Sequence, residues 1–211
     1  MSSTNRSYRK LFWTLALLGL AADQGAKYGI FAWLDGASPF VVVPNYFNIV
    51  AVYTDRIWEG EGLLHQLRTI SSPNVPHLNH GALFGIGAGT SFGNYFFLAI
   101  SLAAALAIIY WSTRPFAGRD GYLCVALGLI LAGTLGNFYD RIVFGGVRDF
   151  FHAYNLPLPF GLDNFPVFNV ADCCLVCGAL LLVLEAFLRK PVPEPNSQGA
   201  AATSEPAGIS S

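Results

Sequence analysis

The sequence predicts an all-α membrane protein: a four-transmembrane-helix bundle with a small extracytoplasmic β-rich segment between helices 1 and 2. Three observations predict it. Of 211 residues, 54% are hydrophobic and 12% charged, with a mean hydropathy of +0.48, which is a membrane composition. Four segments supply roughly the 20 apolar residues that a helix needs to cross hydrocarbon. The Lys and Arg residues around them give one consistent orientation.

The first span runs near 11–34. It carries Asp23 and Lys27, is too long for the apolar core of a removable signal peptide, and lacks a small-residue cleavage site. The next segment, 35–91, opens with "FVVVPNYFNIVAVYT", whose β-branched and aromatic residues read as one or two strands broken at Pro44 and Asn45. The polar "SSPNVPHLNHG" that follows reads as loop. The second span lies near 92–111 and the third near 122–139. After the connection 141–165, the fourth is "FPVFNVADCCLVCGALLLVLEAFL" at 165–188. Residues 1–190 thus form one membrane domain, and the Pro, Ala, Ser and Gly-rich tail 191–211 is expected to be disordered, because it cannot bury a core.

Arg6, Arg9 and Lys10 precede the first span, Arg114 and Arg119 join the second to the third, and Arg189 and Lys190 follow the fourth. With four spans these sets share one side, which the positive-inside rule makes cytoplasmic, together with both termini. The segments 35–91 and 141–165 then face outward. A net charge of −1 with scattered basic residues gives no case for nucleic-acid binding. No internal repeat supports an inverted-repeat transporter.

The four cysteines lie in apolar runs, Cys124 in one and Cys173, Cys174 and Cys177 in another. They read as packing residues, since a disulfide framework needs cysteines in separate loops and a zinc site needs about four ligands. His65, His77, His80 and His152 fall outside the spans without an HExxH pattern and read as solvated loop residues.

The polar residues within the spans gather toward one face of the membrane. In "GTLGNFYDR", Asn137, Asp140 and Arg141 lie on neighbouring helix faces at the outer end of the third span. "IVFGGVRDFFHAY" follows, where Gly145 and Gly146 permit a tight turn and return Asp149 toward the membrane. Asn169 and Asp172 are three residues apart in the fourth span, and a helix starting at Pro166 would place Asp172 about 9 Å inside it. An ionised Asp in a bilayer is costly and therefore a candidate functional group.

Asp140, Asp149 and Asp172 can thus meet just beneath the outer surface. Two carboxyls brought together where water is scarce cannot both ionise, so a pair of them shares one proton. One then activates water against a peptide carbonyl while the other stabilises the oxyanion and protonates the leaving nitrogen. That chemistry needs no cofactor or metal. Each group also has a structural reading. Asp140 beside Arg141 can be an interfacial ion pair, Asn137 and Asn169 interhelical glue, and Asp23 with Lys27 an i, i+4 pair. No G-x-S-x-G elbow or Cys–His pairing offers another nucleophile.

The blocks "DQGAK" (23–27), "NHGALFG" (79–85), "GNFYDR" (136–141), "VRDF" (147–150) and "FPVFNVAD" (165–172) occur in an order that resembles the lipoprotein signal peptidases, the signal peptidase II family of bacterial inner-membrane aspartic peptidases. The resemblance covers roughly residues 10–190. It implies that Asp149 and Asp172 form the catalytic dyad, a choice that spacing alone leaves open between Asp140 and Asp149. By the same carry-over Asn79, Asn137, Asp140, Arg141 and Asn169 line or brace the substrate site, supported by Asp23 and Lys27. It further implies an enzyme acting as a monomer in the bacterial cytoplasmic membrane, its active site near the outer face. It would remove signal peptides from prolipoproteins just before a diacylglyceryl-bearing Cys. The chain departs from the family in its longer stretch 53–80, its expanded "HAYNLPLPFGLDN" and Leu83 in place of Ala. The enlarged outer segment is expected to cover or shape the entrance.

Two rivals remain at this level. A proton-coupled transporter would spread ionisable groups through the membrane depth, whereas the second span has none and the third and fourth hold theirs near one end. A noncatalytic scaffold is disfavoured by the number of carboxylates.

Overall fold

A computed structural model of the chain describes residues 7–81, 91–156 and 165–188. Arg6, Leu83, the stretch 157–164, Arg189, Lys190 and the tail lie outside the described residues. The elements run α1 (Arg9–Trp33), β1 (Phe40–Val43), β2 (Phe47–Ile49), β3 (Tyr53–Ile57), α2 (Leu63–Thr69), β4 (Asn74–Pro76), α3 (Ser91–Ser112), α4 (Pro115–Arg119), α5 (Gly121–Val143), β5 (Phe151–Ala153) and α6 (Val170–Leu188).

The protein is mostly helical, and among the described residues α3, α5 and α6 are long and apolar enough to cross a membrane. The 25-residue α1 is divided. Its Leu11, Trp13, Leu17 and Leu18 are exposed, while Asp23 and Lys27 are fully buried. Helix α5 is central, packed against α1, α3 and α6. A Cβ on its Gly133 would collide with the backbone carbonyl of Ala171, and one on Gly136 would lie 2.5 Å from Asp23 Oδ2. Small residues on α5 therefore let both neighbours approach closely, as is usual between membrane helices. Away from the polar groups, Phe12, Ala16, Ala105, Cys124, Leu127 and Leu131 form an apolar core.

Both ends of α5 are set by its sequence. Asp120 caps the start, its Oδ1 accepting from the Leu123 N–H at 3.0 Å. At the other end the Phe144 N–H bonds Asp140 O, and Gly145 follows at φ +83°, a left-handed step that glycine takes at little cost.

The strands refine the expected β-rich segment. Asn45 turns the chain at φ 66° between β1 and β2, at the break read from Pro44 and Asn45. The sheet order is β1-β2-β5, with Phe47, Asn48 and Ile49 opposite Ala153, His152 and Phe151. One strand of this sheet thus comes from beyond α5 rather than from the first connection. A second sheet pairs β3 with β4, so part of "SSPNVPHLNHG" is strand rather than loop. Pro73 and Pro76 mask it in the sequence, but a proline carbonyl still accepts, as Pro73 O does from the Trp58 N–H at 2.9 Å. The short α2 was not anticipated either.

Helix α6 starts at Val170 and not near Pro166. Residues before it are extended, because Phe168 exchanges backbone hydrogen bonds with Phe151 at 2.8 and 3.0 Å and the Phe165 N–H donates to Ala153 O. Three of the histidines are also less solvated than their loop-like sequence implied, while His77 is exposed. His65 belongs to α2, His152 belongs to β5 and stacks on Tyr154, and His80 Nδ1 lies 3.0 Å from Gly145 O.

Candidate active site

Three backbone connections converge on Asp149. Asn79 and Val147 form a two-way antiparallel bridge, with N···O distances of 2.8 and 2.9 Å, which lays Asn79 beside the loop after α5. Phe150 and Phe151 both donate to Phe168 O, which places Asp149 next to Asn169. The Phe150 carbonyl in turn accepts from the Val50 N–H at the end of β2. The site is therefore framed by the two chain connections and by the first turn of α6.

Asn169 and Asp172 cap that turn reciprocally. Asn169 Oδ1 accepts from the Asp172 N–H at 3.0 Å, and Asp172 Oδ2 accepts from the Asn169 N–H at 3.1 Å. This is a capping box with Asn and Asp in the two roles. Asp172 thus sits in the first helical turn and not about 9 Å inside the helix. Asp172 Oδ1 also accepts from Asn137 Nδ2 at 2.9 Å.

Asn169 joins the two candidate carboxyls. Its Nδ2 donates to Asp149 Oδ1 at 2.6 Å and lies 3.2 Å from Asn137 Oδ1, while its other atoms hold Asp172. Asn79 Nδ2 donates to Asp149 Oδ2 at 3.0 Å. Asp149 lies outside the long helices, and its pKa is pushed up to about 6. Burial is the main cause and the Asp172 charge adds to it, against the pull of the Asn79 and Asn169 amides.

Asp140 lies one layer deeper and bonds neither candidate. It is fully buried, and its carboxylate takes Arg148 Nη2 at 2.9 Å, Arg148 Nε at 3.2 Å, the Arg148 N–H at 2.9 Å and Lys27 Nζ at 3.4 Å. The expected ion pair with Arg141 is not among the described contacts, since the loop turn at Gly145 brings Arg148 back onto the carboxylate instead. Arg141 lies over the Phe97 ring and donates from Nη1 to Asn137 O at 3.3 Å. Lys27 pairs with Asp23 at 2.9 Å, as i, i+4 spacing implied, and reaches Asn137 Oδ1 at 3.3 Å. Asp23 Oδ1 accepts from the Ala171 N–H at 2.8 Å, capping α6 from another helix. All nine expected positions therefore lie in one connected region, but in two layers.

Arg148 and Gln24 were missed as site residues. Gln24 Nε2 donates to Asp23 Oδ2, Gly136 O and Asp140 Oδ1, and its Oε1 accepts from Arg148 Nη2 at 3.1 Å. Both stand inside quoted blocks, "DQGAK" and "VRDF", so the signal was their place beside charged motif residues. Two carboxyls held by one asparagine, one of them with its pKa raised by burial, have the parts for acid and base catalysis on one substrate.

The family model of signal peptidase (SPase) II matches residues 73–188. The lipoprotein signal peptidase of Pseudomonas syringae pv. tomato is 32% identical over 196 residues, spanning 90% of this chain and 94% of that protein. That of Bacillus subtilis is 35% identical over 178 residues, spanning 84% and 94%. Two solved structures of bacterial membrane enzymes superpose with TM-scores of 0.62 and 0.60. Their sequence identities are 30% and 28%, with 86% and 84% of this chain and 95% and 88% of theirs covered. On the strength of these matches and of the site they contain, the chain belongs to the signal peptidase II family of lipoprotein signal peptidases.

Proposed function

We propose that the protein is an aspartic endopeptidase of the bacterial inner membrane that removes signal peptides from diacylglyceryl-modified prolipoproteins, cutting just before the lipidated Cys. The observation that carries this reading is Asn169, whose side chain and backbone hold both Asp149 and Asp172. Asp172, the capping carboxylate of α6, is the base that takes a proton from water as it attacks the scissile carbonyl. Asp149, raised toward neutrality, is the acid that donates to the developing oxyanion and, after proton return, to the leaving nitrogen. Asn79, Asn137 and Asn169 orient the pair. Asp140, Asp23 and Lys27 brace it, and Arg141 faces the substrate backbone.

Helix α1 is the fourth span in this reading, because its apolar residues are turned outward and its charges are paired inside. Both termini are then cytoplasmic and the dyad lies near the outer face. A shallow site suits a substrate whose lipid holds the scissile bond close to the interface. The protein acts as a monomer.

The test is cleavage of a diacylglyceryl-modified prolipoprotein by purified Asp149→Asn and Asp172→Asn variants. Each should lose on the order of 10³-fold or more in turnover, as members of a catalytic unit do, while still binding lipidated substrate. Cleavage at the parent rate by either variant would refute the dyad.

A further inference from the structure

Arg148 is the largest fully buried side chain in the described protein, 1% exposed, and it directly precedes Asp149. Its backbone N–H, Nε and Nη2 all donate to the Asp140 carboxylate, and Nη2 also donates to Gln24 Oε1. The guanidinium packs against the rings of Phe144, at 3.8 Å from the centroid, and Tyr28, at 4.3 Å. A planar fork bonded along one edge and packed against two rings has little freedom to rotate.

The network runs further. Asp140 joins Lys27, Lys27 joins Asp23, and Gln24 bonds both acids. Asp23 holds the N–H of Ala171, the residue before Asp172. One chain of buried ionic contacts therefore links the backbone beside Asp149 to the backbone beside Asp172, through α5 and α1. Two acids and two bases balance within it. Backbone bridges flank Asp149 on both sides, Val147 with Asn79 before it and Phe150 and Phe151 with Phe168 after it, and Arg148 adds the side-chain anchor that ties this loop to α5 and α1.

We infer that Arg148 is a positioning residue for the hydrolysis: its fork on Asp140 fixes the loop that carries Asp149 and, through Lys27 and Asp23, sets that loop against the start of α6. It touches neither candidate carboxyl among the described contacts, and it acts by holding the distance between them. This rests on the dyad reading above. A small misplacement of a reacting group can cost roughly 10²-fold in rate, whereas contacts to the lipid and the signal peptide made elsewhere are untouched.

The experiment measures kcat and KM on diacylglyceryl-modified prolipoprotein, with thermal unfolding in the same detergent. Arg148→Lys keeps the charge but not the bidentate Nε and Nη2 fork on Asp140, and Asp140→Asn with Arg148→Met keeps the burial neutral. The expected result is a kcat lower by about 10- to 100-fold with KM within about threefold of the parent, in protein that unfolds cooperatively. A full kcat in Arg148→Lys would overturn the inference, and so would kcat and KM changing together. If Arg148→Lys fails to fold, the double variant decides by the same criterion. Failure of both to fold would assign Arg148 to the fold alone and also overturn it. Asp172→Asn is run alongside. If that variant still cuts, the dyad itself falls, whereas its inactivity beside a fully active Arg148→Lys removes only the role of Arg148.

Discussion

Asp149 and Asp172 have the same side chain, yet their surroundings differ. The Asp172 carboxylate completes a capping box at the positive end of a helix and takes a second hydrogen bond from Asn137. Burial raises Asp149 to about 6, helped by the neighbouring Asp172 charge. The sign of the coupling can be tested. Because the negative charge of Asp172 favours the protonated form of Asp149, Asp172→Asn should lower the Asp149 pKa below its parent value. The titration of the protonated-carboxyl infrared band, assigned by its loss in Asp149→Asn, measures the change, and an unchanged or raised midpoint would rule out the coupling. In the parent, kcat/KM should fall as pH rises through the upper pKa of the pair, when the shared proton is lost. At this scale the sequence was informative, because each expected polar residue lies in the region. Spacing nevertheless left Asp140 and Asp149 equivalent. The family resemblance favours Asp149, and the structure adds that Arg148 returns onto Asp140, a contact made across a glycine turn that no periodicity reveals.

At the scale of elements, the long helices were legible because bilayer thickness imposes a length and composition that few other structures share. Their ends were less so. Helix α6 begins four residues later than Pro166 suggested, because Phe168 has a strand partner in Phe151 that lies in another connection. Strand β4 and helix α2 were hidden for the same reason: short elements are stabilised by their neighbours more than by their own residues. Close approach of α1 to α5 depends on Gly136, where a Cβ would press on Asp23. Gly136→Ala should therefore destabilise the protein by about 1 to 3 kcal/mol. Gly25→Ala on α1, where the added carbon meets nothing within 4 Å, should be neutral or slightly stabilising. Thermal unfolding of both variants in one detergent makes the comparison, and equal midpoints would show that α1 can shift to accommodate the carbon.

Across the whole molecule, apolar helix faces turn outward while the buried charges balance in pairs beneath a cluster of polar side chains drawn from three chain segments. The connection after α1, the loop after α5 and the start of α6 each contribute to it, so no single segment could form it alone. The expectation of a β-rich segment was right in kind and incomplete in membership, since β5 joins from a distant part of the chain. Sequence order gives little warning of such a pairing, because β5 is only three residues long. The most direct measurement on the whole protein is a single turnover on diacylglyceryl-modified prolipoprotein in heavy-oxygen water, with the products weighed by mass spectrometry. Water activated by the Asp149 and Asp172 pair should place one heavy oxygen on the new carboxyl terminus of the released signal peptide in the first turnover, leaving the lipidated Cys as the first residue of the other fragment. A first-turnover peptide carrying only ordinary oxygen, or a cut at another bond, would contradict it.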